Sequence, residues 1–273
     1  IEQRGVKLDI PFLSELSQKL DIQLRALEAS IIETAGENFN LNSPAQLSKV
    51  LFENLGLPSK GIKKNKNGAF STDVKTLEKL GPFNPIIEEI LNYRQLAKLK
   101  STYVDALPQL VNPKTDRLHT TYHQAVASTG RLSSSDPNLQ NIPIRTDLGR
   151  QMRKAFIISS PEMVLASFDY SQIELRLLAH FSEDPPFVEA FRQNRDIHAQ
   201  TAMDIFNLDA LENVTPDMRR IAKTTNFGIV YGQSAYGLAR TLNIPNQEAS
   251  KIIKSFKERY IGCLLYTSPS PRD

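Results

Sequence analysis

Cysteine is nearly absent from this chain. Of 273 residues only Cys263 carries a thiol, so no intrachain disulfide can form and a reducing compartment fits. Long apolar runs are missing too: no stretch approaches the ~20 residues that span a bilayer, and the opening Ile1-Glu-Gln-Arg4 has no feature of a signal peptide. Charge of one sign is scarce, since a net +3 does not by itself point to a polyanionic partner. There is no internal repeat and no Gly-x4-Gly-Lys-Ser/Thr phosphate loop, which argues against a nucleotide hydrolase of that type. What is there, 40% hydrophobic and 23% charged residues, is ordinary globular composition in a chain long enough for one large or two smaller domains.

The first hundred residues read as helical. Leu13, Leu16, Leu20, Leu24, Leu27 and Ile31 recur at three- and four-residue spacing, the pattern of an amphipathic helix. Asn42-Ser43-Pro44 sets a capping residue before a proline at the first helical position. That helix carries Leu47, Val50 and Leu51 and is expected to end at Gly56. In the loop that follows, Lys60, Lys63, Lys64 and Lys66 fall within seven residues, either a solvated loop or a contact for a phosphate backbone. A further helix is expected from Asn84-Pro85 to about Tyr103.

Past Pro108 and Pro113 the residues become strand-like, and strands are expected within Arg117–Ala127, at Ala155–Ile158 and at the apolar run Met163–Phe168. Helices are expected near 171–182, 186–194, 196–206, 215–230 and 246–260. Strands clustered with helices make the fold class α+β. The tail Cys263–Asp273 breaks the amphipathic pattern of Ala249, Ile252, Ile253 and Phe256 and resembles translated adaptor sequence, while Gly5–Asp9 reads as the interior of a longer protein. The chain is therefore expected to be a fragment.

Two stretches carry chemistry. Asp169 directly follows Met163–Phe168, so its carboxylate is expected at a strand end on rigid backbone, able to face a metal; a capping aspartate at a strand-to-helix turn is the plain alternative. Glu174 and Arg176 follow on the opening turns of a helix. Roughly fifty residues on, Arg219, Lys223, Phe227 and Tyr231 are spaced by four, each about 40° around from the last and all on one helical face. A surface helix with snorkelling cations would be the bland reading. The functional one has Arg219 and Lys223 gripping a triphosphate and Phe227 stacking a base. Glycines in Asn226-Phe227-Gly228 and Tyr231-Gly232 leave room for close approach of backbone or ligand. A place for a cation and a place for a polyanion together suggest phosphoryl transfer.

Asp169-Tyr-Ser-Gln-Ile-Glu-Leu-Arg176 resembles motif A of the family A DNA polymerases, the bacterial DNA polymerase I type. Arg219-Arg-x-x-x-Lys223-x-x-x-Phe227-Gly-x-x-Tyr231-Gly232 resembles motif B of that family. Thr129–Ser134 and Pro137–Arg145 are similar to its primer-template segments, and Tyr93–Tyr103 to its long thumb helix; the similarity runs from about residue 1 to 260. It implies a right-hand architecture, with helical thumb and fingers around a partial antiparallel palm sheet. Residues 1–112 would be thumb and the start of the palm, with a basic tip loop at about 60–70. Residues 113–184 would be partial palm with motif A, 185–262 fingers with motif B, and 263–273 a non-native tail.

The resemblance also implies roles. Asp169 would bridge two Mg²⁺ ions with the Tyr170 carbonyl as a further ligand. Asp169, Lys223 and Arg219 would be the catalytic set, with Lys223 giving a proton to the leaving pyrophosphate. Gln172, Glu174, His198, Arg219, Lys223, Phe227 and Tyr231 would bind the nucleotide. Glu174, bonded to Tyr231, would close the sugar pocket to a ribose 2′-hydroxyl, and phenylalanine at 227 would disfavour dideoxynucleotides. Lys60, Lys63, Lys64, Lys66, Arg131, Asn138, Gln140, Asn141 and Arg145 would touch DNA, with Arg131, Asn138, Gln140 and Asn141 near the primer end, where minor-groove acceptors are common to all base pairs. For Asn138 and Asn141 a plain turn-forming role is the alternative. The implied partners are primer-template DNA and deoxynucleoside triphosphates, with no membrane, in a monomer of the bacterial cytoplasm near the nucleoid.

One departure stands out. The family's motif C, a His-Asp-Glu-type turn bearing a second catalytic aspartate, has no counterpart in this sequence. The two-metal site would be half built, so this stretch alone is expected to lack meaningful polymerase activity. A non-catalytic module that clamps duplex DNA is the rival reading.

Overall fold

The computed structural model describes residues 2–262 apart from Arg145, Asn207 and Asn243. Its chain divides into two compact units, Ile1–Ala166 and Ser167–Asp273. In the first, the leucine pattern forms α1 (Ile10–Ala35). Asp9 caps it by accepting from the Phe12 amide at 2.9 Å, Pro11 lies in the first turn, and Gly36 at φ +72° ends it, its N–H bonded to Ile32 and Glu33 carbonyls. One end of α1 places Leu13, Leu16 and Leu20 in a cluster with Leu96, Leu99 and Leu107. The other places Ile31 against Leu47, Leu51, Ile87 and Ile90. Half-buried Leu24 and Leu27 touch both clusters, so this single helix ties two cores together.

Ser43 accepts from the Gln46 amide and opens α2 (Pro44–Lys49), which continues as a π-helical turn over Val50–Asn54 before Gly56 at φ +63°. α3 (Val74–Leu80), capped by Asp73, is a helix that periodicity does not announce: only Leu77 and Leu80 of its seven residues are buried. The helix expected to run to Tyr103 is α4 (Ile86–Leu99) with a π-helical turn at Lys100–Val104. Ahead of α1 lies β1 (Lys7–Leu8), which pairs with β6 (Phe156–Ile157); after α5 (Ala106–Gln109) β2 (Val111–Asn112) pairs with β3 (Arg117–Leu118) and β4 (Thr121–His123) with β5 (Ser133–Ser135), all antiparallel. α6 (Asp147–Arg153), capped by Thr146, precedes β6. Helices with small antiparallel pairings make the α+β class expected.

The strand expected at Met163–Phe168 does not form. Residues 163–170 take no regular structure and are exposed along their whole length, with Val164 at 85% and Phe168 at 93%. A strand exists through its ladder of hydrogen bonds to a neighbour, and no described strand pairs with this run. Apolar composition supplied the material for a strand but not the partner.

The second unit is helical among its described residues: α7 (Ile173–Ser182), α8 (Pro185–Arg192), α9 (Ile197–Phe206), α10 (Pro216–Val230), α11 (Ala235–Leu242) and α12 (Asn246–Arg259). Leu175, Leu178, Phe187, Ile197, Ile229, Phe256 and Tyr260 form its main core. Phe187 sits fully buried with its ring 4.9 Å from Tyr260 and 5.8 Å from Phe191. Asp184 caps α8 with one carboxylate oxygen and accepts from the Gly262 amide with the other at 2.8 Å. No described helix is long and apolar enough to cross a membrane.

Candidate functional site

Arg219, Lys223 and Phe227 ride on α10, which Thr215 caps and Pro216 starts; Tyr231 is its C-cap residue. The face foreseen from the four-residue spacing is built. Phe227 and Tyr231 stack with ring centroids 6.5 Å apart and planes 16° apart. Tyr231 Oη donates to Glu174 Oε2 at 2.7 Å, linking the end of α10 to the first turn of α7. Lys223 is exposed and Arg219 half-exposed.

Arg219 is not held by α10 alone. Its Nε donates to Asp196 Oδ2 at 2.6 Å, and Asp196 Oδ1 accepts from the His198 and Ala199 amides at 2.9 and 3.2 Å. One carboxylate thus caps α9 and orients a guanidinium on α10. Partial burial pushes Asp196 upward, but Arg219 and the two amides outweigh it and the net shift is below the usual carboxylate range. Sequence reading missed this residue's part: its place before Ile-His is a capping signal, whereas its bond to Arg219 spans 23 positions.

His198 lies beneath that face, only 1% exposed. Its ring is 5.8 Å from Phe227 and its Nδ1 is 3.1 Å from Asn226 Nδ2. Burial lowers its pKa to about 4; Asp196 pulls upward, but Arg219 and Lys223 push down. Gly228 has the close neighbour its lack of a side chain invited. A Cβ there would meet Gln233 Oε1 at 2.0 Å, so the approaching group is the Gln233 side chain, tied to Thr241 Oγ1 at 3.0 Å.

Asp169 and Tyr170 lie in the exposed, irregular run before α7. A carboxylate followed by a carbonyl is the hard-oxygen chemistry Mg²⁺ takes. It supplies only part of an octahedral shell, and no group of three or more His, Cys, Asp or Glu gathers as a metal site among the described residues. Gln172 adopts a left-handed conformation at φ 52° before α7, with its Oε1 buried and without a hydrogen-bond partner. Arg176, on α7, bonds the Ser171 carbonyl at 2.9 Å and lies 4.8 Å over the Phe191 ring, bracing this run from behind.

In the first unit Lys60, Lys63, Lys64 and Lys66 are all exposed. Their loop is shaped: Asn65 bonds the Ala69 carbonyl and Ser71 the Lys63 carbonyl, each at 2.8 Å, while the Lys64 ammonium sits 4.7 Å over Phe70. In the same unit a cleft of about 550 Å³ is lined by Gln95, Lys98, Tyr103, Asn138 and Asn141 among others. Asn138 Oδ1 accepts from the Gln140 amide and from Ser134 Oγ, so it shapes its own turn; Asn141 is held through its carbonyl by Tyr103 Oη at 2.7 Å. Both Asn141 and Gln140 are exposed, as is Arg131. Arg145 and the tail 263–273 lie outside the described residues.

The family model for DNA polymerase family A matches residues 10–270. The chain is 51% identical over 266 residues to DNA polymerase I of Geobacillus stearothermophilus, covering 97% of this chain and 30% of that protein. It is also 51% identical over 260 residues to the thermostable DNA polymerase I of Thermus aquaticus, covering 95% and 30%. A solved structure described as "POL domain of Pol1 from M. smegmatis complex with DNA primer-template and dNTP" superposes with a TM-score of 0.84 at 39% identity, over 96% of this chain and 46% of that one. The chain therefore spans about 30% of the length of the curated relatives it matches. On this agreement of motifs, fold and relatives, the chain belongs to DNA polymerase family A.

Proposed function

We propose that this stretch supplies the nucleotide-gripping helix, the first metal carboxylate and part of the DNA-holding surface of a DNA-templated DNA polymerase. The observation that carries the reading is the built face of α10: two cations, a stacked aromatic pair and a Tyr231–Glu174 bond converge on one side of one helix. A triphosphate matches Arg219 and Lys223 in charge, a base matches Phe227, and the bonded Glu174–Tyr231 pair would close the sugar pocket. Lys223 gives its proton to the leaving pyrophosphate. Asp169 and the Tyr170 carbonyl would hold Mg²⁺, which when bound orients the attacking 3′-hydroxyl and neutralises charge on the leaving group.

The residues divide the work in the same way along the chain. Residues 1–112 act as thumb and start of the palm, 113–184 as partial palm and 185–262 as fingers. The lysines at 60–66 meet duplex phosphates, Arg131, Asn138, Gln140 and Asn141 read the primer-template near its end, and Arg145 also binds DNA. On its own, the stretch binds nucleic acid rather than extending it, because the sequence holds no His-Asp-Glu triplet to complete the carboxylate pair. The partners are primer-template DNA and deoxynucleoside triphosphates, and the protein acts as a monomer in the bacterial cytoplasm.

Primer extension by a polymerase of the relatives' full length carrying these residues tests the reading. Metal charge stabilisation is worth several kcal/mol, so Asp169→Ala is expected to slow extension by about a thousandfold. Extension at the wild-type rate would sink the metal assignment.

A further inference from the structure

Asn226 is fully buried, and its Oδ1 has no hydrogen-bond partner among the described residues. A buried orphan of this kind calls for a reason. Its other end supplies one: Nδ2 stands 3.1 Å from Nδ1 of the buried His198 ring. An amide can face an imidazole in two ways. With Nδ2 toward the ring it donates, Nδ1 must be a bare acceptor, and the proton of the neutral imidazole sits on Nε2. With Oδ1 toward the ring the proton sits on Nδ1, and the buried orphan becomes an NH₂ group. Buried donors are left unpaired less often than carbonyl oxygens, so the first arrangement is favoured and the bare Oδ1 is its consequence.

A charged ring in this place would lack support. It would be desolvated and would face Arg219 and Lys223, with only Asp196 opposing them. The neutral ring has a single N–H to offer, and which nitrogen carries it decides whether His198 can donate away from Asn226.

We propose that Asn226 is a positioning residue whose side-chain amide fixes His198 as the Nε2–H tautomer, so that the imidazole meets a triphosphate as a neutral hydrogen-bond donor rather than as a cation. This rests on the nucleotide-binding reading of α10. In it Arg219 and Lys223 carry the charge, and His198 adds direction without adding charge.

The ring state is read without any ligand, from two-bond nitrogen–proton correlations of the ¹⁵N-labelled chain. Its four histidines are told apart by losing one signal in His198→Gln. The expected wild-type pattern at neutral pH is Nε2–H, and in Asn226→Ala the ring should average between tautomers. An Nδ1–H pattern in the wild type, or an unchanged pattern in Asn226→Ala, overturns the proposal. Should Asn226→Ala fail to fold, the near-isosteric Asn226→Leu decides: with no donor facing Nδ1 the ring should average between tautomers, and a ring that stays Nε2–H overturns the idea.

Titration with inorganic triphosphate supplies the second readout. Loss of one hydrogen bond predicts about fivefold weaker binding in Asn226→Ala and no added loss when the change is made on His198→Gln. Equal losses in both backgrounds mark a merely structural asparagine and overturn the role. A wild-type chain with the expected tautomer and no triphosphate binding refutes the donor role and faults the nucleotide reading, whereas a wrong tautomer faults Asn226 alone.

Discussion

The two units bury different kinds of polar group. In the first, the buried polar side chains among the described residues are hydroxyls: Ser48, Thr72, Thr120 and Ser134. Each serves the backbone or a neighbour: Ser48 accepts from the Phe70 amide, Thr120 donates to the Pro137 carbonyl at 2.7 Å, Thr72 accepts from Arg94, and Ser134 accepts from the Leu139 and Gln140 amides. The second unit buries Asp184, His198 and Asn226 alongside Thr201 and Thr225. Hydroxyls pair cheaply and shape turns. Buried ionisable and amide groups are costly unless their partners are in place, and here most of them lie under the face that carries Arg219, Lys223 and Phe227. The first unit offers its chemistry on the surface, whereas the second builds part of it into its interior.

The comparison is tested most strongly through the cores. Phe187→Ala should destabilise the second unit by about 3–5 kcal/mol, and Leu20→Ala the first by about 2–5 kcal/mol. Denaturant melts followed by segment-resolved hydrogen exchange would check this. If either change loosened both units alike, they would not be separate cores.

A smaller effect follows from His198. Its folded pKa of about 4 lies below the ordinary value near 6.5, so the unfolded chain takes up the proton first as pH falls. This contribution is complete above pH ~6.5 and is lost as pH drops toward ~4, amounting to at most about 3 kcal/mol. His198→Gln should flatten the difference between melts at neutral and mildly acid pH. A slope that survives the substitution would place the titrating group elsewhere.

For the surface of the first unit the expected measure is salt dependence. Replacing Lys60, Lys63, Lys64 and Lys66 together should lower the slope of log affinity for duplex DNA against log salt by about 0.9 per phosphate contact removed. An unchanged slope would return the loop to solvent. The smallest change is Tyr231→Phe, which removes the bond to Glu174 at a net cost of about 1 kcal/mol. It should raise ribonucleotide incorporation several-fold in a full-length polymerase if the pair guards the sugar.

Legibility in the sequence followed the range of the interaction. α1 was readable because its leucines repeat with the helix period; the caps Asp9 and Gly36 that close its ends came from the structure. α10 was readable for the same reason, and its four-residue spacing already named the face. α3 and α11 were not foreseen, since short helices with two buried residues each leave little periodicity to detect. At Met163–Phe168 composition misled: the run is apolar enough for a strand, yet stands exposed for want of a pairing neighbour.

The sequence by itself determined the strongly periodic helices such as α1 and α10, the Ser43 cap of α2, the alignment of Arg219, Lys223, Phe227 and Tyr231, and the placing of Asp169 just ahead of a helix. All of these depend on residues a few positions apart. Only the tertiary structure decided that Asp196 holds Arg219, that His198 is buried and neutral and that Asn226 faces its ring, while the Tyr231–Glu174 bond across 57 positions was reached beforehand only through the family resemblance. Burial and long-range hydrogen bonds depend on which helices come to lie side by side, and local spacing carries no record of that.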